Sequence, residues 1–359
     1  MATNQYSCTV GVGAAATCQP PIRARTDGRV PLAFGSLAGR PAVCVGRKPF
    51  SVAVEPGHVT PPEFRHAAVS PPIVTPFDAD GDVDTDALAS HVSTLVDAGL
   101  DGMVPCGTTG EFASLTDAER RAVVEATVEA VGGDVPVIAG AADTTVSGVL
   151  DRLRAADAAG ADAGLVTLPY YHGSTSPAGQ RAFLEAVADD APLPFLLYDI
   201  PMTVGEPIDT EVLAAVAERE SIVGLKDTSG DLSAVDAAVD RTPDDFTVFQ
   251  GVDALLYPSA SLGVDGGIHA LSQVIPEAFV ALGEALRAGD EDRALTLHRR
   301  AITPLFERCA DHGFAPATKV AAAHRGFVPH PRVRPPLTLP DESASEAIAA
   351  DVDAALDAV

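Results

Sequence analysis

From Val69 onward the chain alternates two hydrophobic patterns. Short apolar runs rich in β-branched residues predict eight strands, at 72–75, 102–105, 136–140, 164–168, 194–198, 222–226, 246–250 and 265–269. Between them, Ala-rich amphipathic stretches predict helices at about 85–98, 117–131, 144–159, 177–189, 209–219, 231–240, 253–262 and 275–288. The second helix follows Thr116, with Glu119 three residues on, which is the pattern of a capping box. The fourth helix has Pro177 in its first turn.

The unbroken alternation of strands and helices predicts a parallel sheet, because parallel neighbours need a crossover connection. Eight units in roughly 220 residues predict a closed (β/α)₈ barrel, or TIM barrel, whose typical size is about 250 residues. An open doubly wound sheet is the alternative. We expect an N-terminal extension over 1–67, a catalytic barrel over 68–289 and a C-terminal helical region over 290–359. Further helices are predicted at about 290–311, 315–325 and 342–357.

The first 67 residues differ from the rest of the chain. They are rich in Pro, Gly and small residues, carry an excess of positive charge and show no sustained periodicity. These features predict a poorly ordered extension. Its small-residue run precedes the arginines, which is the reverse of a secretory signal, so we expect a cytoplasmic protein. The five cysteines are scattered without metal-ligand spacing, as expected of reduced thiols.

The chain of 359 residues is acidic and poor in lysine. It has 50 Asp and Glu against 24 Lys and Arg, a formal net charge of −26, and only three lysines: Lys48, Lys226 and Lys319. Nucleic acids and anionic membranes require positive charge, so neither is an expected partner. Such acidity is typical of a halophilic cytoplasm, where the Debye length falls to roughly 3 Å at 1 M salt and screens the repulsion. No apolar stretch approaches the length of a membrane span.

Lys226 is the most informative residue for chemistry. It ends the sixth predicted strand, directly after the uncharged run 222–225, and function in a barrel collects at the carboxyl ends of the strands. Desolvation of a lysine there favours the free amine, which can attack a ketone and form a Schiff base. The alternative is a lysine that reaches solvent from the strand end and pairs with Asp227.

Other polar side chains are predicted at the same edge. Tyr198 ends the neighbouring strand, about 4.8 Å away, where a phenol can transfer protons or simply cap the core. Thr108 and Thr109 lie between glycines at a strand-to-helix turn, whose hydroxyls and N–H groups can hold a carboxylate or cap the next helix. Gly251 leaves room for a ligand, while Asp253 can accept hydrogen bonds from substrate hydroxyls or begin a helix.

Three further polar residues have a structural interpretation. The loop histidines His172 and His269 have no metal-ligand partners at useful spacing and are predicted to be solvated. Glu111 either lies near the site or serves as the structural partner of a loop N–H. No cluster of His, Asp and Glu predicts a metal site, and no nucleophile elbow predicts Ser–His–Asp catalysis.

Five short motifs occur in order at the predicted strand ends: G-T-T-G-E at 107–111, P-Y-Y at 169–171, Y-D-I-P at 198–201, G-L-K-D at 224–227 and D-G-G-I at 265–268. With them the chain resembles the pyruvate-dependent class I aldolases grouped with dihydrodipicolinate synthase and N-acetylneuraminate lyase, from about residue 71 to about 325. The resemblance implies a (β/α)₈ barrel, assembled as a homotetramer. It also implies that the substrates are pyruvate or another 2-keto acid and an aldehyde, with no metal or organic cofactor.

The same resemblance implies roles for individual residues. Lys226 would form the Schiff base and Tyr198 would transfer protons. Thr108 and Thr109 would hold the carboxylate and help to orient the phenol. Tyr171 matches a tyrosine that, in the synthase branch, crosses into the site of a neighbouring subunit. Further substrate contacts are expected from Thr228, Gly251, Asp253 and Ile268.

Departures from the motifs distinguish the branches of the family. In the synthase branch an Arg follows the Y-x-V-P motif by two residues and binds the carboxylate of the incoming aldehyde, whereas this chain has Thr203. The sialic acid lyases have a Glu after the G-x-D of the seventh strand and a Ser two residues past G-G-I. This chain has Ala254 and Ala270 at those positions. With these two branches disfavoured, the chain most resembles the 2-keto-3-deoxygluconate aldolases, which act in an Entner–Doudoroff type of sugar pathway.

The function predicted from the sequence is therefore reversible cleavage of 2-keto-3-deoxygluconate, or of its 6-phosphate, to pyruvate and glyceraldehyde or its 3-phosphate. Phosphate preference stays open, because some phosphate-accepting relatives have an Arg after the P-Y-Y motif where this chain has His172. The alternatives are a dihydrodipicolinate synthase-like condensation, a dehydratase that uses the same Schiff base, and a ligand-binding barrel that has lost catalysis.

Overall fold

The computed structural model describes residues 68–172 and 175–359. In this part of the chain, strands of one parallel sheet follow the order β1-β7-β6-β5-β4-β3-β2. Their bounds are β1 Ala68–Ser70, β2 Ile138–Gly140, β3 Ala163–Thr167, β4 Phe195–Asp199, β5 Ile222–Asp227, β6 Thr247–Gln250 and β7 Gly266–Ile268. The predicted extension over 1–67 lies outside the described residues.

The sheet closes into a barrel through the second predicted strand. Met103 forms a parallel bridge with Val137, next to β2. On the other side, the Val104 N–H donates to the Pro71 carbonyl oxygen (3.0 Å), and the Val104 carbonyl accepts from Ile73 (3.1 Å). This stretch is therefore paired on both sides, as the eighth member of a closed barrel. The (β/α)₈ prediction is confirmed, and the open doubly wound sheet is wrong.

Helices cover the outside of the barrel and continue beyond it. They are α1 Thr85–Asp97, α2 Asp117–Val131, α3 Val146–Ala159, α4 Pro177–Asp190, α5 Pro201–Val204, α6 Thr210–Val216, α7 Leu232–Arg241, α8 Leu256–Ala260, α9 Pro276–Ala288, α10 Glu291–Leu297, α11 Thr303–His312, α12 Phe314–His324 and α13 Glu342–Asp357. The capping box of α2 is confirmed, since Thr116 Oγ1 accepts from the Glu119 N–H and Glu119 Oε2 accepts from the Thr116 N–H (2.8 Å).

Three predicted elements differ from the structure because of proline. The first strand lies at β1 rather than at 72–75, where Pro71 and Pro72 lack the N–H that a ladder requires. The helix predicted at 253–262 is a 3₁₀ turn followed by the short α8, which contains Pro258. The helix predicted at 290–311 contains a π-helical turn at His298–Ile302, just before Pro304 in α11.

The C-terminal helices pack against one side of the barrel. A large hydrophobic cluster joins residues of α1 and α9, such as Leu282, to Leu297, Leu305 and Val352 of the later helices. All four are fully buried, and burying each such side chain stabilises the fold by about 1.5–3 kcal/mol. None of the helices in the described ranges combines the length and apolar character that crossing a bilayer requires.

Candidate active site

Lys226 and Tyr198 lie side by side at the carboxyl edge of the barrel. Tyr198 on β4 is the register partner of Lys226 on β5, and Lys226 Nζ lies 4.2 Å from the centroid of the Tyr198 ring. The two residues are only 4% and 6% exposed, respectively. Because side chains alternate along a strand, the amine and the phenol share one face of the sheet, as predicted.

The alternative prediction, an ion pair between Lys226 and Asp227, is wrong. Asp227 Oδ1 instead accepts from the N–H (2.9 Å) and the hydroxyl (2.7 Å) of Ser229. No carboxylate of residues 68–172 and 175–359 forms an ion pair with the Lys226 amine. The amine is therefore buried without a carboxylate partner in the part of the chain that the structure describes.

Gly251 brings a backbone turn close to the Lys226 side chain. A Cβ at this position would lie 2.0 Å from Thr228 Oγ1 and 3.0 Å from Lys226 Cε, so no larger residue fits without displacing them. The Thr228 hydroxyl is buried and has no hydrogen-bond partner among the described residues. Thr228 and Gly251 thus lie beside the amine, where the resemblance expects substrate contacts.

The turn at 107–111 presents its two threonines differently. Thr108 is exposed, whereas Thr109 is only 5% exposed. Glu111 ends the turn in the left-handed region, with φ 56° and ψ 36°. In the described structure neither threonine hydrogen-bonds to Tyr198, so the implied orientation of the phenol by these hydroxyls stays a prediction.

Glu111 is held by a cation that the sequence analysis missed. Lys319 on α12 pairs with Glu111 Oε1 at 2.5 Å, and both side chains are almost fully buried. Glu111 Oε2 accepts from the Arg334 N–H at 3.0 Å, so its interpretation as the partner of a backbone N–H is confirmed. Burial lowers the pKa of Lys319 to about 8, against the attraction of Glu111. The scarcity of lysine was the signal that could have drawn attention to Lys319.

A cavity of about 320 Å³ opens beside this turn. Its polar lining is mainly hydroxyl groups, including those of Thr108, Thr167, Tyr198 and Thr203. No Lys or Arg of the described chain belongs to the lining, and the Glu111 carboxylate is neutralised by its ion pair. Lys226 itself does not line this cavity, but its Nζ lies 4.2 Å from the centroid of the Tyr198 ring, which does.

The C-terminal region supplies one wall of the cavity. Pro336 and Leu337 line it opposite the barrel strands. The adjacent Arg334 guanidinium donates to the carbonyl oxygens of Gly81 (2.8 Å) and Ser114 (3.0 Å). These bonds tie the segment after α12 to two loops at the mouth of the barrel.

Asp253 is buried and bound by backbone rather than exposed in the cavity. Its Oδ1 accepts from the Leu271 N–H at 2.7 Å, within the 3₁₀ turn Ala270–Gln273. Burial raises the pKa of Asp253 to about 6, opposed by these hydrogen bonds and by the charge of Lys226. The carboxylate therefore orders the turn after β7, and its predicted contact with substrate stays a prediction.

His269 corrects the prediction of a solvated loop residue. The residue is fully buried, and its ring centroid lies 5.5 Å from that of Phe279. Gly267 makes this possible, because a Cβ there would lie 1.8 Å from His269 Nε2. Burial, followed by the charge of Lys226, lowers the pKa of His269 to about 3 and keeps the ring neutral. Ile268, just before it, is also fully buried.

Two carboxylates follow Lys226 and Tyr198 directly in the two strands. Asp199 and Asp227 follow Tyr198 and Lys226 and are themselves register partners. Burial, and then the charge of Asp227, raises the pKa of Asp199 to about 7. Its Oδ1 accepts from the Ile208 N–H at 3.2 Å. Burial also raises the pKa of Asp227. Asp199 therefore holds a proton near neutral pH, and neither carboxylate belongs to the lining of the cavity.

Tyr171 and His172 lie on an exposed loop. Tyr171 is 94% exposed and has a φ of 81°, which costs on the order of 1–3 kcal/mol for a residue other than glycine. His172 is exposed, as predicted. Among the described residues, no three His, Cys, Asp or Glu side chains converge as metal ligands would.

A parallel (β/α)₈ barrel with a buried lysine beside a tyrosine at the carboxyl edge defines a class of Schiff-base lyases. The comparisons agree, because the pattern of the dihydrodipicolinate synthetase family matches residues 65–355. The chain belongs to this family of pyruvate-dependent lyases.

Several relatives carry the name of the synthase. The 4-hydroxy-tetrahydrodipicolinate synthase of Methanopyrus kandleri is 37% identical over 287 residues, which is 79% of this chain and 94% of that protein. A DapA-like lyase of Halobacterium salinarum is 37% identical over 285 residues, 79% of this chain and 92% of that protein. A particular closeness to 2-keto-3-deoxygluconate aldolases therefore stays a prediction.

Solved structures of the same family also resemble the chain. The dihydrodipicolinate synthase DapA-2 of Bacillus anthracis matches with a TM-score of 0.77 and 29% identity, covering 81% of this chain and 99% of that one. YagE, a prophage protein of the same family from Escherichia coli solved in complex with pyruvate, has a TM-score of 0.77 and 30% identity, with coverage of 81% and 98%.

Proposed function

We propose that this protein is a class I aldolase that reversibly cleaves 2-keto-3-deoxygluconate, or its 6-phosphate, to pyruvate and glyceraldehyde or its 3-phosphate. The observation that carries the Schiff-base chemistry is the buried Lys226 amine, 4.2 Å from the Tyr198 ring and free of any described ion pair. The cavity wall contains Thr203 and no described Lys or Arg, which favours a neutral sugar-type aldehyde and therefore the unphosphorylated substrate over its 6-phosphate.

The reaction begins when the Lys226 amine attacks the C2 carbonyl carbon of the keto acid. Loss of water from this adduct gives a protonated imine, which can accept the electrons of the C3–C4 bond through C3. Tyr198 lies next to the amine, where it would carry the protons that water formation requires. The turn with Thr108 and Thr109 would hold the substrate carboxylate through hydroxyl and N–H groups.

Cleavage breaks the bond between C3 and C4. The C4 hydroxyl gives up its proton to the Tyr198 oxygen, the C4–O bond becomes a carbonyl, and the bonding electrons move through C3 into the imine. The aldehyde leaves, and the enamine that remains takes a proton at C3. Water then hydrolyses the imine, which releases pyruvate and restores the amine. Thr228 and Thr203 would bind the hydroxyls of the departing aldehyde.

A second candidate is the condensation that gives 4-hydroxy-tetrahydrodipicolinate, because several relatives carry that name. It would use the same enamine in the opposite direction, toward an aldehyde that bears a carboxylate. A desolvated carboxylate needs a positively charged or strongly donating partner. The described lining offers hydroxyls instead, which is why we place sugar acid cleavage first.

Borohydride reduction in the presence of pyruvate tests the chemistry shared by both candidates. We expect the mass of a reduced pyruvyl group on the peptide that contains Lys226. Lys319 is a matched control, because it is equally buried but paired with Glu111. Absence of the adduct on Lys226, or labelling of Lys319 instead, would show that the proposed mechanism is wrong.

Product analysis separates the candidates. Cleavage of 2-keto-3-deoxygluconate releases pyruvate, which a coupled lactate dehydrogenase assay follows, whereas a dehydratase would form the same imine without releasing pyruvate. A synthase would instead consume pyruvate with aspartate semialdehyde. A clear preference for aspartate semialdehyde over glyceraldehyde in the condensation direction would favour the second candidate.

We also propose the homotetramer that the family resemblance implies. Tyr171 supports it, because an apolar ring that is 94% exposed on a strained backbone gains packing when a neighbouring subunit covers it. Light scattering of the purified protein tests the assembly. Substitution of Tyr171 by Phe separates its two roles, since loss of activity with retained assembly would assign the hydroxyl to the neighbouring site.

A further inference from the structure

One buried ion pair connects the turn at 107–111 to the C-terminal segment that follows α12. Lys319 Nζ lies 2.5 Å from Glu111 Oε1, and both side chains are at most 1% exposed. Lys319 Nζ also donates to the Arg332 carbonyl oxygen at 2.6 Å. Glu111 Oε2 accepts from the Arg334 N–H at 3.0 Å. Each ion therefore binds both its partner and the backbone of the C-terminal segment.

Both ends of this connection form walls of the substrate cavity. Glu111 lines the cavity on the side of the turn, and Pro336 and Leu337 line it on the side of the C-terminal segment. The two Glu111 carboxylate oxygens are bound by Lys319 and by the Arg334 N–H, so the role that the structure gives this carboxylate is to join two walls. The ion pair therefore relates the position of one wall to that of the other.

The conformation of the turn depends on Glu111. The Glu111 N–H donates to the Thr108 carbonyl oxygen at 3.1 Å, which closes the turn. Glu111 has a φ of 56° and a ψ of 36°, a left-handed conformation that a residue other than glycine keeps only when its surroundings hold it there. A displacement of the Glu111 side chain is therefore transmitted to Thr108 and Thr109, whose hydroxyl and N–H groups would hold the substrate carboxylate.

Two cations of this network lie on one phenylalanine ring. Lys319 Nζ is 4.0 Å and the Arg334 guanidinium carbon is 4.4 Å from the centroid of the Phe77 ring, and Phe77 is only 3% exposed. Arg334 also donates to the Ser114 carbonyl oxygen at 3.0 Å and pairs with Glu119 at 2.5 Å. A buried network in which the members have fixed partners is more rigid than the same contacts made singly.

Stability alone is a poor explanation for the buried pair. Taking two charges out of water costs about as much as their attraction returns, so apolar residues of similar volume often stabilise a core equally well. The chain has only three lysines, and one of them is used here. We propose that Lys319 and Glu111 are positioning residues, which hold the turn at 107–111 in the conformation that binds the carboxylate of pyruvate or another 2-keto acid. This inference rests on the proposed function, in which the turn binds that carboxylate.

Borohydride trapping of the full-length protein over a range of pyruvate concentrations measures this effect without any aldehyde. In Lys319→Met, the pyruvate concentration that gives half the maximal rate of Lys226 labelling should rise about tenfold or more, because displaced donors weaken a hydrogen bond to a charged group. The maximal rate should stay close to that of the wild type, because Lys226 and Tyr198 are unchanged. A purely structural role would do the reverse, since a partly unfolded sample lowers the maximal rate at an unchanged half-maximal concentration.

A double variant and a matched control complete the series. In Glu111→Gln/Lys319→Met the half-maximal concentration should equal that of Lys319→Met, because the two residues act as one unit and their effects do not multiply. This variant also covers a failure of Lys319→Met to fold, since it removes both charges together. Arg325→Met is the control, because Arg325 at the end of α12 pairs with Glu277 at 2.6 Å and lies 4.6 Å from the Phe327 ring but does not line the cavity. Its half-maximal concentration should equal that of the wild type.

Hydrogen exchange measured by mass spectrometry tests the same connection without pyruvate. In Lys319→Met, protection should fall at 107–114 and at 332–337 together, whereas Arg325→Met should keep the protection of the wild type in both segments. An unchanged half-maximal concentration in Lys319→Met, an equal rise in Arg325→Met, or multiplied effects in the double variant would overturn the proposal. If the wild type gives no adduct on Lys226, the proposed function fails. Exchange then decides the positioning role, which joint loss of protection in the two segments supports and unchanged protection overturns.

Discussion

Introduction of a cation at Thr203 tests how the cavity selects its aldehyde. Thr203 lies on α5, lines the cavity and is exposed, so a longer side chain has room there. The only hydrogen bond that the structure gives its hydroxyl is donated to the Ile200 carbonyl oxygen at 3.2 Å. Loss of this bond at an exposed position should change the free energy of unfolding by no more than about 0.5 kcal/mol.

The Thr203→Arg variant should gain affinity for aldehydes that carry a carboxylate. A hydrogen bond between charged partners is worth about 1.5–3 kcal/mol, and exposure of this site places the effect at the lower end. Since about 1.4 kcal/mol is a factor of ten, we expect kcat/KM for aspartate semialdehyde to rise roughly tenfold relative to that for glyceraldehyde. The gain should shrink as salt is added, because exposed charges are screened.

The assay is condensation with pyruvate, measured for both aldehydes in parallel. Met202→Arg is the matched control, because it adds the same charge one residue away, at a side chain that is 85% exposed and does not line the cavity. If Thr203→Arg shifts the ratio no further than Met202→Arg does, this wall does not select the aldehyde. A wild-type protein that already prefers aspartate semialdehyde would refute the reasoning from the cation-free lining.

Three further substitutions probe the site and its surroundings. Tyr198→Phe should lower kcat by about 10²–10⁴-fold in steady-state assays while imine trapping persists, and an unchanged kcat would remove the phenol from proton transfer. Gly251→Ala should destabilise the protein by about 1–3 kcal/mol and abolish activity, because the added Cβ would lie 2.0 Å from Thr228 Oγ1. Gly179→Ala is the control, because its nearest contact would be at 3.5 Å, and it should change neither the thermal unfolding nor the activity. Because the pKa of Asp199 is raised to about 7, the stability it contributes is present at low pH and is lost as the pH rises through 7. The melting temperature of Asp199→Asn should therefore fall less than that of the wild type between pH 5 and pH 8. Parallel pH profiles of the two proteins would show that Asp199 is not the group responsible.

The barrel was predictable because hydrophobic periodicity is a local property of the sequence. The predicted runs at 164–168 and 222–226 match β3 and β5 to within about a residue. The proximity of Lys226 and Tyr198 followed from the same pattern, since the pattern fixes where neighbouring strands end. Errors arose where backbone chemistry overrode periodicity, as at Pro71 and Pro258, whose missing N–H groups displace a strand and divide a helix.

The supporting residues were not predictable in this way because their partners are distant in the sequence. Glu111 follows the second predicted strand of the barrel, whereas Lys319 belongs to α12 beyond the barrel, and nothing local to either residue indicates the other. His269 follows a strand directly, so it was interpreted as a loop residue, but the space above Gly267 admits its ring into the core. Periodicity indicates which face of an element is buried. Contacts between residues that are distant in the sequence depend instead on geometry that exists only once the barrel has closed.

The wall formed by Pro336 and Leu337 has a consequence for biosynthesis. The ribosome has translated nearly the whole chain before these two residues emerge, although Lys226 and Tyr198 are made much earlier. Until Pro336 and Leu337 emerge, the cavity of a nascent barrel lacks this wall and is open to bulk water on that side. Premature stop codons between α9 and Leu337 would leave Lys226 and Tyr198 in the chain but would remove this wall of the cavity.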